Sequence, residues 1–325
     1  MCSQNLDAKL VEEIDREIIS LICEVGYNSE MSYVEKVAEI TDAYIKKIDG
    51  VQFSNKKVLI EHVKENWNVL EKSIDSYLKG DIQKCFGEIK KRLIKEPTQK
   101  EPTETYYVPI YDIKDKTLYR CRKNEEGHTF SELELFHVPF TKRGIVSTMR
   151  FSIPGFPCLY MGSTPFCCWK ELNMPESFTI AEIKCNQSVC MMDMRFWRCY
   201  HLNETEMRKY LISYPFRIAC SIPVMEEHYN DNFKPEYIIP QILLHTSVIG
   251  NKDSRFDGIV TTSTKFFASS CKIEEIRDFD NYIVPARECD KLDEKGYCDW
   301  LLKRFDIKTL HDSRCEDSRE VLCHQ

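Results

Sequence analysis

One stretch, KEPTQKEPTETYY from Lys95 to Tyr107, separates two textures that cannot share one pattern of secondary structure. It is polar, repeats KEPT and holds two prolines, which remove backbone donors and stop a helix. A four-residue repeat is too short to build a solenoid. Before it, apolar residues recur every three and four positions; after it, short β-branched and aromatic runs alternate with turns. The chain therefore reads as a helical module at 1–97, a linker at 98–106, a sheet-based domain at 107–304 and a tail at 305–325. The tail is polar, and a loose helix or disorder is expected there.

Four helices are expected in the first module. SNKKVLIEHVKENWNVLEKSIDSYLKG carries Val58, His62, Val63, Trp67, Leu70, Ile74 and Leu78 as one stripe, with Ser54 as N-cap and Gly80 as stop. DIQKCFGEIKKRLI restarts at Asp81, and LVEEIDREIISLICEVG and SYVEKVAEITDAYIKKI give two more. Past the linker, TLYRCR, LFHVPF, GIVSTMRFSI, CLYMGS, FTIAEIKC, SVCMMDM, EYIIPQILLH, DGIVTTST and NYIVPAR read as strands. TPFCCWKELNM and ETEMRKYLISYPFRIACSI read as helices between them. Strands and helices mixed without regular alternation point to an α+β fold rather than a doubly wound one.

Composition narrows the partners. Of 325 residues, 42% are hydrophobic and 30% charged, the balance of a globular protein in water. A net charge of −7 disfavours a nucleic-acid backbone, and the basic cluster KKRLIK reads as a solvated helix face. No apolar run reaches the roughly 18 residues of a membrane helix. The opening MCSQNLDAKLVEEIDREII is polar and acidic, unlike a targeting peptide, so a cytoplasmic location without membrane contact is expected. Sixteen cysteines contain no C-x-x-C pair, the nearest spacing being Cys185 and Cys190, so no metal is expected. They read as small apolar residues in a reducing compartment. Cys167 and Cys168 before Trp169 lack the glycine-rich surround of a cysteine protease.

Dinucleotide, phosphate-loop, zinc-protease and hydrolase signatures are all absent. The search therefore falls on RFSIPGFPCLYMGSTPFCCWKE, Arg150 to Glu171. It reads as strand, Pro-Gly turn, strand and then helix, with Ser163 or Thr164 as cap and Pro165 in the first turn. That arrangement can bring Arg150, Tyr160 and Glu171 to one mouth. A guanidinium forks two phosphate oxygens, a tyrosine offers a ring face, and a carboxylate accepts ribose hydroxyls or stabilises cationic sugar. Together they suit a substrate that is both a phosphate ester and a glycoside, as a pyridine dinucleotide is.

These residues resemble the RES domain family. Its arginine, R-aromatic-x(3)-G-x-P-x-x-Y, glutamate, D-G-[IL]-x-[YT]-x-S and N-x-[VI]-x-P blocks look like LYR with Tyr119 and Arg120, RFSIPGFPCLY with Arg150 and Tyr160, CCWKE with Glu171, FDGIVTTS with Ser263, and NYIVP with Asn281. The blocks stand in order, and the helical module and tail lie outside them. The resemblance implies an ADP-ribosyltransferase-like fold and cleavage of the nicotinamide–ribose bond of NAD⁺, with NAD⁺ as substrate and no cofactor. It implies Arg120 and Arg150 on the diphosphate and ribose, Tyr119 among the dinucleotide-binding residues, Tyr160 against nicotinamide, and Glu171 on the nicotinamide-side ribose. Ser263 would orient Glu171 or the ribose, and Asn281 would line the pocket. Inorganic phosphate is one acceptor, and a growth-arresting toxin with a protein antitoxin or regulator is the implied setting. Phe151 stands where tryptophan is frequent, and Thr261 and Thr262 where an aromatic often precedes the serine.

Taken singly, each residue has a plainer reading: Arg120 and Arg150 as surface arginines, Tyr160 as core, Glu171 as a solvated helix residue, Ser263 as a turn hydroxyl. His137 in LFHVPF reads as a satisfied core histidine. Two other functions remain open: a regulatory protein that holds a dinucleotide without cleaving it, and transfer of ADP-ribose to a macromolecule.

Overall fold

The structure is a computed structural model that describes residues 8–95, 105–125, 130–196, 202–249, 256–267, 279–287 and 295–314. Helices α1 (Ala8–Gly26), α2 (Tyr33–Gly50), α3 (Lys56–Leu78) and α4 (Ile82–Leu93) come first, then a short pairing of β1 (Ile94–Lys95) with β2 (Thr105–Tyr106). The remaining chain forms β3 (Ile110–Asp112), β4 (Thr117–Lys123), β5 (Cys158–Gly162), α5 (Pro165–Glu171), β6 (Ser177–Cys185) and β7 (Cys190–Met194). It continues through α6 (Glu204–Ile212), α7 (Tyr214–Ser221), α8 (Ile238–Ile249), β8 (Gly258–Thr262), β9 (Asp280–Pro285), α9 (Asp299–Leu302) and β10 (Phe305–Arg314). The architecture is α+β. No helix among the described residues is long and apolar enough to cross a membrane.

Two compact units emerge, and neither is a single stretch of chain. The described parts of 1–109, 193–246 and 267–273 form the first; those of 110–192, 247–266 and 274–325 form the second. Helices α6 and α7, which the sequence reading left within 107–304, thus pack with the N-terminal helices. Most of the 98–106 linker lies outside the described residues.

The first unit is organised by apolar stripes and a few buried polar anchors. Ser32 and Glu35 close a capping box that starts α2, each bonding the other's backbone N–H. The buried Lys36 ammonium donates to the Gly26 carbonyl at 2.8 Å, satisfying the end of α1. The stripe on α3 is rotated from the expected one: Leu59, Ile60, Val63, Asn66, Leu70 and Ile74 are buried, whereas Val58 and Leu78 are more than half exposed. Asn66 sits in that stripe because its amide donates to the Ile212 carbonyl at 2.7 Å and accepts from Arg92 at 2.5 Å. The N-cap of α3 is Asn55, in the left-handed region, not Ser54. Asp15, fully buried, accepts from the hydroxyls of Tyr210 and Tyr214, tying α1 to α6 and α7.

The second unit carries an eight-stranded sheet in the order β10-β6-β4-β5-β9-β8-β7-β3. Alternation sends Leu159 and Met161, Ala181 and Ile183, and Tyr282 and Val284 into the larger core, with Leu135, Phe136 and Leu301 over them. The opposite face packs Phe178, Ile180 and Cys121 with Tyr119, Cys168 and Trp169 of the α5 side. Buried His137 accepts from the Cys298 N–H at Nε2 and leaves Nδ1 to donate to the Val138 carbonyl, a satisfied core histidine.

Four expectations for the chain beyond the linker are overturned. LFHVPF forms no strand; 3₁₀ turns at Glu132–Leu135 and Phe140–Ile145 flank it, as its proline allows. GIVSTMRFSI forms only an isolated bridge, Met149 to Ser152. EYIIPQILLH enters a helix, since a continuous apolar run fits a buried helix as well as a strand. The polar tail contains β10, which pairs antiparallel with the whole of β6. One partner surface is enough for an edge strand, so its outer residues can be polar.

Candidate active site

The site begins where β5 ends. Gly162 is opposite Tyr119 of β4 on one side and Asn281 of β9 on the other. A Cβ there would stand 2.6 Å from the Cys168 sulfur, so α5 packs directly on the strand because the residue is glycine. Thr164 caps α5 by accepting from Cys167 N–H at 3.1 Å, with Pro165 in the first turn. The helix closes one residue after Glu171: Met174 N–H returns to the Trp169 carbonyl, Trp169 Nε1 donates to Pro175 O at 3.0 Å, and Lys265 holds the Asn173 side chain. Glu171 therefore stands in a last turn fixed from three directions.

Two donors converge on its carboxylate, and both reach the same oxygen. Ser263 Oγ donates to Glu171 Oε1 at 2.5 Å, and Asn281 Nδ2 donates to Oε1 at 2.6 Å. Oε2 receives neither bond. Ser263 is fully buried and held by its own N–H to the Phe279 carbonyl at 2.8 Å. The rings of Phe266 and Phe279 stack at 3.7 Å, and Phe166 of α5 packs edgewise or tilted on both. That aromatic cluster brings the turn after β8 to the helix bearing Glu171.

Arg120 stands at a second point. Strands β4 and β5 are paired at Tyr119 and Gly162 and part beyond it, and Arg120 Nη1 donates to the Tyr160 carbonyl across the opening at 2.8 Å. Its Nε is shielded from solvent and makes no hydrogen bond among the described residues. Burial, with the Arg122 guanidinium nearby, lowers Arg120 to about 10, which leaves it charged at neutral pH. Arg122 is engaged elsewhere, donating to the Glu134 carbonyl over the Phe130 ring. Tyr160 shares the α5 face of β5 with Gly162, two residues or roughly 7 Å along the strand. Arg120 alternates with Tyr119 on β4 and pairs with Ala181, so its side chain leaves the strand on the larger-core side while Glu171 is carried on the α5 side.

The remaining expected residues are placed less directly. Tyr119 packs on Cys168 and Trp169, and its carbonyl accepts from the Cys168 thiol at 3.1 Å. Arg150 lies in the tight turn between Met149 and Ser152, not on a strand. Ser152 Oγ donates to the Phe156 carbonyl at 3.3 Å, which also accepts from the Cys158 thiol at 3.8 Å, so the turn is tied to the start of β5. Burial pushes the Cys168 thiol up to about 12 and the Cys167 thiol well above its ordinary value, so both stay protonated near neutral pH. Sequence reasoning missed Gly162 and Cys167. Their signals were a glycine at a strand end before a capped helix, and a cysteine one turn ahead of Glu171. It also left the D-G of FDGIVTTS unexplained: Asp257 accepts from Cys190 N–H at 2.9 Å and Arg287 at 3.3 Å, and a Cβ at Gly258 would meet the Ile283 carbonyl at 2.3 Å. Both residues serve the sheet.

Comparison with known proteins gives one informative likeness. A curated protein of Bacillus subtilis (strain 168), named "Putative toxin YopC", is 33% identical over 261 residues, 73% of this chain and 56% of that protein. The chain therefore spans little more than half the length of this relative. No protein-family model and no solved structure matches the chain.

Proposed function

We propose that this chain cleaves the nicotinamide–ribose bond of NAD⁺ on an ADP-ribosyltransferase-like domain of the RES type. The observation that carries the reading is the Glu171 carboxylate, with Oε1 held by two donors and Oε2 turned to neither of them. Oε2 accepts the 2′-hydroxyl of the nicotinamide-side ribose, and its negative charge steadies the cationic sugar as the C–N bond lengthens. The bonding electron pair leaves with neutral nicotinamide, so no acid is needed to protonate the leaving group. Water then delivers oxygen to the anomeric carbon and loses a proton, or inorganic phosphate attacks and leaves a sugar 1-phosphate. Arg120, and Arg150 from its turn, take the diphosphate, and Tyr160 borders the nicotinamide. NAD⁺ is the substrate, and no further cofactor takes part.

The name of the Bacillus subtilis relative supports a growth-arresting role, with a protein antitoxin or regulator as the matching partner. The deciding experiment is nicotinamide release from NAD⁺ by the purified chain, with and without phosphate, beside Glu171→Gln. The expected result is a fall of about 10²–10³-fold in turnover for the variant. Equal turnover by both proteins removes the proposal, and a requirement for phosphate identifies phosphorolysis. NAD⁺ binding without any release returns the chain to the non-catalytic dinucleotide-binding class.

A further inference from the structure

We infer that Asn281 is a positioning residue for Glu171 rather than part of the pocket lining, and that Cys167 holds its amide the right way round. Asn281 sits in the middle of the sheet, opposite Gly162 on one side and Thr261 on the other. Its backbone is therefore held by two neighbouring strands, and its side chain leaves from a rigid base. Nδ2 donates to Glu171 Oε1 at 2.6 Å, while Oδ1 lies 3.7 Å from the Cys167 sulfur. Cys167 is one helical turn before Glu171, so both ends of the amide meet the same face of α5. The buried thiol keeps its proton and shares it between Asn281 Oδ1 and the Asp280 carbonyl, also at 3.7 Å. A flipped amide would set its oxygen against the carboxylate and its NH₂ against a thiol that accepts poorly.

Ser263 and Asn281 thus act on one oxygen as a pair. Their shared target holds the carboxylate plane and leaves a single oxygen, Oε2, to meet a substrate hydroxyl. Among the described residues, the thiols of Cys167 and Cys168 on its own helix are the ionisable groups whose titration Glu171 influences, and Asp280 of β9 and Arg120 of β4 influence them in turn. This inference rests on Glu171 being the working carboxylate, so its first test does not use NAD⁺.

Carboxyl ¹³C spectra of the full chain labelled at Asp and Glu would be followed through pH for wild type, Asn281→Asp and Asn281→Asp with Glu171→Gln. Two carboxyls at that separation cannot both ionise freely. Asn281→Asp is expected to add a shared-proton step above the ordinary carboxylate range, which disappears when Glu171→Gln is added. Absence of that step overturns the inference, whatever the chain does to NAD⁺. Asn281→Ala adds no charge and provides the second reading, through nicotinamide release. A positioning role lowers kcat by about 10–100-fold with KM little changed. A lining role instead raises KM and leaves kcat, which also overturns it. Ser263→Ala is expected to be non-additive with Asn281→Ala because both act on Oε1. Cys167→Ser retains a donor and is expected to preserve kcat where Cys167→Ala lowers it; equal kcat in the two removes Cys167 from the relay. If no variant or wild type releases nicotinamide while the new titration step is present, the NAD⁺ reading fails and the placement of Asn281 stands.

Discussion

At Gly162 a single hydrogen atom decides where α5 can lie. A methyl group there would meet the Cys168 sulfur at 2.6 Å, so Gly162→Ala displaces either that sulfur from the Tyr119 carbonyl or the helix that carries Glu171. The expected cost is about 1–3 kcal/mol in urea unfolding, with a larger proportional loss of nicotinamide release. Pairing it with Cys168→Ala should restore part of both, since the clash is removed from the other side. Met174 poses the opposite case: it holds φ at 54°, a conformation that side chains disfavour. Met174→Gly is expected to stabilise the chain by up to about 1 kcal/mol, read as a rise in Tm. Glu171 is legible from the strand, turn, strand and helix pattern, and Ser263 and Asn281 from a family resemblance that sets Ser263 toward Glu171 but Asn281 only in the pocket lining. The fact that two donors share one oxygen depends on the register of β5 with β9 and on the turn after β8. No local pattern encodes either.

Among the elements, those with chemical punctuation were the legible ones. Helix α5 starts at Thr164 as its cap and Pro165 imply, and β4, β5, β6, β8 and β9 follow their β-branched and aromatic runs. Thr164→Ala is expected to cost about 1 kcal/mol, and Thr164→Ser much less, in matched thermal melts. Where punctuation was missing, residue preference misled. The run Ile238–Leu244 is apolar apart from Gln241, and such a run fits a buried helix as well as a buried strand. The segment before Ser152 has β-forming residues but no neighbouring strand beyond a single bridge, and Arg150 consequently belongs to a turn.

Across the whole molecule, stability should depend on acid through a buried ion pair in the first unit. Burial alone would raise the Asp193 carboxyl, but the Arg195 charge and hydrogen bonds, helped by Arg217, hold it below its ordinary value. A folded value below the unfolded one near 3.8 means that the contribution is complete above about pH 4 and fades as pH falls through the lower value. Asp193→Asn should lose about 3–5 kcal/mol near neutrality and flatten that part of the stability–pH curve, measured by urea unfolding from pH 2 to 7. The helical and sheet-rich halves were visible from texture alone, yet α6 and α7 pack with helices far earlier in the chain. Apolar stripes announce that a helix is buried, not which helix it meets. The polar residues after 304 were equally deceptive, because β10 pairs with all of β6 from Ser177 to Cys185. A protein shortened to residue 304 would therefore uncover a nine-residue strand containing Phe178, Ile180 and Ile183 as a naked rim. Such rims recruit one another. The shortened chain would announce its defect as self-association and insolubility during expression, well before any assay of its chemistry.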